Sequence, residues 1–216
     1  MTTDLANVRD AVINGKTKEI GQLVQKALDN GADPQDIIDN YLIDAMNEVG
    51  ARFEANKIFV PEMMIAARTM QTGLAVIEPL IAKDEFKAKK LGTVVIGTVF
   101  GDLHDIGKNL VVLMLGSSGF DVIDIGVNVP VDTFVEKAKE LDADVVGISS
   151  LLTTGDSNMQ ATVAALKSGG LKENVKIVVG GAAVTEKHAL DDWGADGFAQ
   201  DAASAGRVIR TLLGIK

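Results

Sequence analysis

The first part of the chain follows the hydrophobic period of an α-helix. From residue 1 to about residue 83, apolar positions recur every three or four residues, as in a predicted helix from about Lys16 to Asn30. Asp33 followed by proline, and later Pro61, are the start signals of two further helices. Asp4 can cap a first short helix. The pattern therefore predicts a small bundle of four helices joined by short links.

A charged, non-periodic stretch at residues 84–90 ends this pattern, and we interpret it as a linker. Beyond it, short β-branched runs alternate with helical segments, which predicts a parallel, doubly wound sheet. The predicted strands are residues 93–96, 122–125, 145–148 and 175–179, with a weaker fifth strand near 197–199. We expect a helical domain at residues 1–88 and an α/β domain at residues 89–216. Ligands of such sheets bind beyond the carboxyl ends of the strands, so functional residues are expected in the loops there.

Composition narrows the classes of function. The net charge of −9 opposes binding to nucleic acid. The apolar runs are short and broken, so neither a membrane segment nor a signal peptide is predicted. The absence of cysteine excludes disulfides and thiolate metal sites, and it favours a cytoplasmic location. His104 and His188 are the two imidazoles that the chain offers to a metal.

The loop after the first predicted strand places a histidine between two acids and two glycines, from Gly101 to Gly107. Asp102 can accept a hydrogen bond from one ring nitrogen of His104, which leaves the other nitrogen for a metal. A simple helix-capping role for His104 is the alternative, and the loop by itself leaves it open. Zinc is disfavoured because it normally takes three or four protein ligands. One histidine backed by a carboxylate suits a metal that brings most of its own ligands.

Three short motifs then complete a pattern: Asp102-x-His104-x-x-Gly107, Ser149-x-Leu151 and Gly180-Gly181. Together they resemble the signature of cobalamin-binding domains that hold the cofactor base-off, with histidine on cobalt, such as the cobalamin module of methionine synthase. Residues 53–79 resemble the helical cap of the methyl-transferring members. The chain thus resembles the corrinoid proteins of methylamine, betaine and methoxyarene methyltransferase systems. The resemblance implies a four-helix cap followed by a five-stranded, Rossmann-like cobalamin-binding domain.

The same resemblance implies a set of cofactor contacts. His104 would be the lower axial ligand of cobalt, with Asp102 behind it. The other implied contacts are Gly101, Leu103, Asp105, Ile106 and Gly107 in the histidine loop; Ser149, Leu151 and Thr153 along the tunnel for the dimethylbenzimidazole tail; Gly180 and Gly181 beside that tail; and Phe53, Val60 and Met63 over the methyl face. For those last three, bundle core is the alternative. Asp39 matches an acid near the corrin edge, and an ordinary surface position is its alternative.

One position departs from the family pattern. Methionine synthase extends its Asp–His pair with a serine, and the matching residue of this chain is Gly155. Thr153, Thr154 or a water molecule are the candidates to take the place of that serine.

The resemblance implies a carrier rather than an enzyme that is catalytic alone. It would accept a methyl group on Co(I) from a substrate-specific methyltransferase and pass it to a second methyltransferase, whose acceptor is tetrahydrofolate or coenzyme M. The cofactor would alternate between cob(I)alamin and methylcobalamin, and a reductive activating protein would be a third partner. A cobalamin-dependent sensor or regulatory module is the alternative function. A receiver module without cobalamin would need a phosphoacceptor, but Asp124 lies within a predicted strand and looks structural.

Overall fold

The chain separates into two compact units. The computed structural model describes residues 2–80, 91–172 and 175–215. The first unit is helical, and the second begins at Leu91 and carries the sheet. The predicted linker at residues 84–90 and the predicted boundary at residue 88 lie outside the described residues.

The described part of the first unit consists of four continuous helices, one of which contains α3, a π-helical segment and α4, and this confirms the predicted bundle. Their bounds are Thr2–Ile13 (α1), Ile20–Asp29 (α2), Pro34–Ile37 (α3) continuing through a π-helical segment at Ile38–Ile43 into Asp44–Glu54 (α4), and Val60–Ile77 (α5) with a 3₁₀ turn at Glu78–Leu80. Gly73 lets α5 approach α2, because a Cβ there would lie 3.1 Å from Ile20 and 3.4 Å from Leu42. The buried face of the bundle is therefore closely packed.

The structure confirms two of the predicted helix starts and corrects two others. Asp33 accepts a hydrogen bond from the backbone N–H of Asp36 at 2.9 Å, and Pro61 lies in the first turn of α5. Asp4 does not cap α1, which already begins at Thr2, and its carboxylate instead pairs with Lys26 at 2.7 Å. The α2 helix begins at Ile20 rather than Lys16, because the polar residues before it form a turn.

The second unit is built on five parallel strands in the order β2-β1-β3-β4-β5. The strands are Thr93–Thr98 (β1), Asp121–Asp124 (β2), Val145–Ser149 (β3), Lys176–Gly180 (β4) and Gly197–Ala199 (β5). The helices are Ile106–Ser117 (α6), Val131–Glu140 (α7), Asp156–Ser168 (α8) and Ala202–Leu212 (α9), with a 3₁₀ turn at Thr153–Gly155 and a π-helical segment at His188–Asp192. All five predicted strands are confirmed.

Helices cover both faces of this sheet. Phe134 of α7 and Met159 of α8 belong to the core cluster of one face, whereas Leu115 of α6 and Ile209 of α9 belong to that of the other. The predicted doubly wound architecture is therefore confirmed. None of the helices in the described ranges combines the length and the apolar character that crossing a membrane requires.

The strand order reverses between β1 and β3, and the carboxyl ends of three strands align at that point. Thr98 pairs with Ser149, and Ser149 pairs with Gly180. The loops that carry the three sequence motifs therefore start from neighbouring positions in one row. A crevice beyond the carboxyl ends at such a reversal is where ligands of open α/β sheets bind.

Candidate cofactor site

Asp102 lies at the centre of the crevice, in the loop after β1. Its side chain is fully buried, and both carboxylate oxygens accept hydrogen bonds. Burial opposes ionisation of this carboxyl, but the bonds from the backbone and ring of His104, from the backbone N–H of Leu151 and from Ser150 outweigh it. They hold the pKa of Asp102 well below its usual range, so the group is a carboxylate at neutral pH.

His104 is oriented by that carboxylate. Its ring Nδ1 lies 2.7 Å from Asp102 Oδ1, and its backbone N–H donates to the same oxygen at 2.9 Å. Because an ionised carboxylate only accepts, Nδ1 carries the hydrogen, and a neutral ring then has its lone pair on Nε2. The side chain is 51% exposed, so Nε2 is open to a partner from outside the chain. The expected Asp–His hydrogen bond is therefore confirmed.

Three polar side chains that the sequence analysis missed hold this loop in place. The hydroxyl of Thr98 donates to the carbonyl oxygen of His104 at 3.0 Å, and Asn158 donates to that of Phe100 at 2.8 Å. The side-chain oxygen of Asn128 accepts from the backbone N–H of Gly101 at 2.8 Å, and the backbone N–H of Asn128 donates to the backbone carbonyl oxygen of Asp102 at 2.9 Å. No motif marks these residues, and a left-handed Asn128, with φ of 54°, becomes visible only in the folded chain.

Ser150 supplies the hydroxyl that reaches Asp102 on the side opposite His104. Its Oγ lies 2.9 Å from Asp102 Oδ2. Among the described residues, the hydroxyls of Thr153 and Thr154 make no such bond, so neither takes the place of the family serine. Ser150 is the variable residue of the Ser149-x-Leu151 motif, so the motif gives no signal for its role.

Exposed apolar side chains surround the Asp–His pair. Leu103 and Ile106 are 71% and 78% exposed, and Phe100, Leu151 and Leu152 in the same two loops are also exposed. A Cβ at Gly107 would meet nothing within 4 Å, so the start of α6 is open. Exposed large apolar residues in one place indicate a binding surface. A broad apolar ring with a metal at its centre, placed against Nε2 of His104, fits this arrangement.

Gly180, the last residue of β4, and Gly181, which follows it, have a packing role that no sequence motif indicates. A Cβ at Gly181 would overlap the carbonyl oxygen of Ser150, and a Cβ at Gly180 would lie 2.6 Å from that of Ala199. Gly181 also has a φ of +129°. The glycines therefore allow neighbouring chain segments to meet. Their predicted place beside a nucleotide tail stays a prediction.

The remaining predicted contacts are dispersed over the two units. Ser149 ends β3, Thr153 is exposed in the 3₁₀ turn, and the carbonyl oxygen of Asp105 accepts from Asn109 at 2.7 Å as α6 begins.

The helical unit carries the others. Phe53 and Val60 are half-buried, whereas Met63 is fully buried, which suits a core position. Asp39 lies exposed on the π-helical segment and accepts from Gln35 at 2.9 Å. The cap roles stay predictions. The exposed Phe59, which the sequence analysis did not select, is also found in this unit.

A doubly wound sheet that carries a buried aspartate, an oriented histidine and an apolar surface at its crevice is suited to hold a flat metal cofactor of the B12 type. The chain belongs to the B12-binding domain family: one B12 binding domain model matches residues 92–207, and a second matches residues 5–78.

Its relatives include corrinoid proteins of nearly equal length. The dimethylamine corrinoid protein of Methanosarcina barkeri is 44% identical over 209 residues, which are 97% of each chain. Dimethylamine corrinoid protein 3 of Methanosarcina acetivorans is 46% identical, over 97% of this chain and 96% of its own. The cofactor of this chain is accordingly a corrinoid.

Two solved structures share the fold over nearly the whole chain. A cobalamin-binding protein from Desulfitobacterium hafniense DCB-2 has a TM-score of 0.79 at 32% identity, covering 96% of this chain and 98% of its own. The methanol:cobalamin methyltransferase complex MtaBC from Methanosarcina barkeri contains a chain with a TM-score of 0.84 at 26% identity, covering 98% of this chain and 80% of its own.

Proposed function

We propose that this chain is a methyl carrier, which receives a methyl group on its corrinoid from one methyltransferase and delivers it to another. The observation that carries the proposal is the orientation of His104 by the buried carboxylate of Asp102, at 2.7 Å. The names of the relatives support a methylated amine as the source of the methyl group.

His104 is the residue that we propose as the axial ligand of cobalt, through Nε2. When bound, the corrinoid supplies a metal that can take up and release a methyl group. Asp102 keeps the hydrogen on Nδ1 of His104 and would stabilise a positive charge on the ring. Leu103 and Ile106 offer apolar surface to the flat ring, and with the ring against them they would exclude water from beside the imidazole.

The partners follow from the same family. The match to a chain of a methyltransferase complex supports a methyltransferase as the partner that loads the carrier. We further propose a second methyltransferase as acceptor and a reductive activating protein that restores an oxidised cofactor. These two partners, the acceptor cofactor and the cytoplasmic location are inferred from the sequence.

The experiment that tests the ligand assignment uses the full chain reconstituted with cobalamin and reduced to Co(II), with ¹⁴N-histidine or ¹⁵N-histidine incorporated. We expect the EPR spectrum of the wild type to show nitrogen splitting that changes with the isotope, and His104→Ala to lose it. His188→Ala is the matched control, because it removes the other histidine of the chain.

Isotope-sensitive splitting that persists in His104→Ala, or wild-type splitting that does not respond to the histidine isotope, would contradict the proposal. Methyl transfer is then tested by reducing the carrier further, to Co(I), and mixing it with a methylated amine and its cognate methyltransferase. The proposed function requires that the wild type and His188→Ala be methylated and that His104→Ala be methylated at least about tenfold more slowly, as expected when a residue positioned for the chemistry is lost.

A further inference from the structure

We propose that Ser150 is a positioning residue for His104, acting through Asp102, and that Gly155 is the position that leaves room for its hydroxyl. In functional terms the inference rests on the proposed role of His104 as cobalt ligand. Its geometry can be tested without the cofactor.

The carboxylate of Asp102 divides its contacts between two sides. Oδ1 faces His104 and accepts from its backbone N–H and its ring. Oδ2 faces the loop after β3 and accepts from the hydroxyl of Ser150 at 2.9 Å and from the backbone N–H of Leu151 at 2.7 Å, with Leu152 farther away at 3.3 Å. The plane of the carboxylate, and hence the direction in which it holds the ring, is fixed from both sides.

Ser150 differs from the other donors on the Oδ2 side because its hydrogen belongs to a side chain. Its Oγ also lies 3.2 Å from the carbonyl oxygen of Leu152. A hydroxyl has one hydrogen, so it can point to the carboxylate or to that carbonyl. The ionised form of Asp102 attracts it more strongly, since bonds to a charged acceptor are the stronger ones. Ser150 is fully buried, so no water competes for this hydrogen bond.

Gly155 explains why the hydroxyl can come from position 150. A Cβ at Gly155 would overlap the Oγ of Ser150, and it would lie 3.3 Å from the Cβ of Ser150 and 3.5 Å from Val99. A side chain at position 155 and a hydroxyl at position 150 therefore compete for one space. Once Ser150 loses its hydroxyl, the nearest atoms to a Cβ at position 155 are the Cβ of residue 150 at 3.3 Å and Val99 at 3.5 Å, a tight fit that a small side chain can meet. The hydroxyl of a serine at position 155 could then occupy the space that the Ser150 hydroxyl leaves.

The test is the tautomer of the His104 ring in the cofactor-free full chain, measured by ¹⁵N NMR of labelled histidine. In the wild type we expect the hydrogen on Nδ1. In Ser150→Ala the carboxylate can turn away from the ring, and the ratio of the Nδ1–H to the Nε2–H form should fall by up to about fivefold, the limit set by the free energy of one hydrogen bond. Thr154→Ala is the matched control, since it removes an exposed hydroxyl from the same loop and should leave the ratio unchanged.

The double variant S150A/G155S is the decisive measurement. We expect it to restore most of the wild-type ratio, which a structural effect of Ser150→Ala alone would not do. An unchanged ratio in Ser150→Ala, an equal fall in Thr154→Ala, or a double variant that resembles Ser150→Ala would each overturn the inference. If instead the ratios follow this expectation while His104→Ala retains splitting that responds to the histidine isotope, the positioning geometry stands and the proposed function fails.

Discussion

The two ends of the parallel sheet use the same interaction for different purposes. At the amino end, Asp144 accepts from the backbone N–H of Thr93 at 2.7 Å and pairs with Lys172 at 2.9 Å. At the carboxyl end, Asp102 accepts from the backbone N–H of Leu151 and pairs with His104. In both places an aspartate joins a loop or strand to its neighbour across the sheet.

The two aspartates differ in the basic side chain with which each one pairs. Lys172 also donates to the carbonyl oxygen of Asp142 at 2.7 Å, so its contacts stay within the chain. His104 contacts Asp102 through Nδ1, and its second ring nitrogen, Nε2, remains for a ligand. Burial opposes ionisation at both aspartates, and their hydrogen bonds lower both pKa values in spite of it. The aspartate–lysine pair therefore only joins parts of the chain at the amino end, whereas the aspartate–histidine pair at the carboxyl end also leaves a nitrogen atom for a ligand.

The largest expected effect is at the carboxyl end, in Gly181→Ala. The new Cβ would overlap the carbonyl oxygen of Ser150, and the residue would keep a φ near +129°. We expect the free energy of unfolding in urea to fall by about 4 kcal/mol, the upper range for single substitutions. Gly126→Ala, in the loop after β2, is the control: it has a φ of +93° but no atom within 4 Å. It should cost about 1 kcal/mol, and equal losses in the two variants would disprove the overlap.

A smaller effect is expected for Asp102→Asn. Whichever way the amide is turned, its NH₂ group faces donors, either His104 or Ser150 and Leu151. A buried donor without an acceptor lowers the free energy of unfolding by about 3 kcal/mol at neutral pH. Urea unfolding measures it, and a loss below about 1 kcal/mol would show that the network rearranges easily.

At acidic pH, the wild type and Asp102→Asn should differ less in their free energy of unfolding than at neutral pH. Because the pKa of Asp102 is lowered by folding, the native state binds fewer protons than the unfolded state, and stability rises with pH in that range. This contribution is complete above the unfolded value of about 3.9 and is lost as the pH falls below it. Urea unfolding of both proteins at about pH 7 and about pH 3.5 tests this. A gap of the same size at both values would contradict it.

The smallest effect is expected at the amino end, for Asp144→Asn. The carboxylate is 36% exposed, so water can replace part of what Lys172 loses. An amide oxygen can still accept from the N–H of Thr93. We expect a loss of about 1 kcal/mol in urea unfolding and unchanged cobalamin uptake. Impaired uptake would show that the two ends are not independent.

The sequence alone predicted the architecture and the centre of the site. Short β-branched runs placed all five strands. A loop with two glycines singled out Asp102 and His104, and the resemblance to cobalamin-binding domains decided between a metal ligand and a helix cap. Both signals are local, because strands and turns are encoded by neighbouring residues. The π-helical segment at Ile38–Ile43 escaped prediction, since a change of pitch over one turn leaves the apolar spacing within the helical pattern.

The supports of the site could not be predicted because they join distant residues. Asn158 and Phe100 are 58 positions apart, and Ser150 and Asp102 are 48 apart. Whether Ser150 or a neighbouring hydroxyl faces the carboxylate depends on how the chain turns after β3, which no periodicity records. The one clue in the sequence was the glycine at position 155. Only the folded structure explains it, because a Cβ at Gly155 would overlap the hydroxyl of Ser150.

The reversal of strand order between β1 and β3 also bears on the order of folding. Val94 pairs with Val145 across this junction. The two residues are farther apart in the sequence than Thr93 and Asp121, which pair between β1 and β2, or Val145 and Lys176, which pair between β3 and β4. Longer loops are closed at a greater entropic cost, so we expect this junction to be among the last to form. The hydrogen bond between Ser150 and Asp102 spans the same junction. A chain that has stalled before that step would carry much of its secondary structure but no oriented imidazole, so capture of the corrinoid would select molecules whose folding is complete.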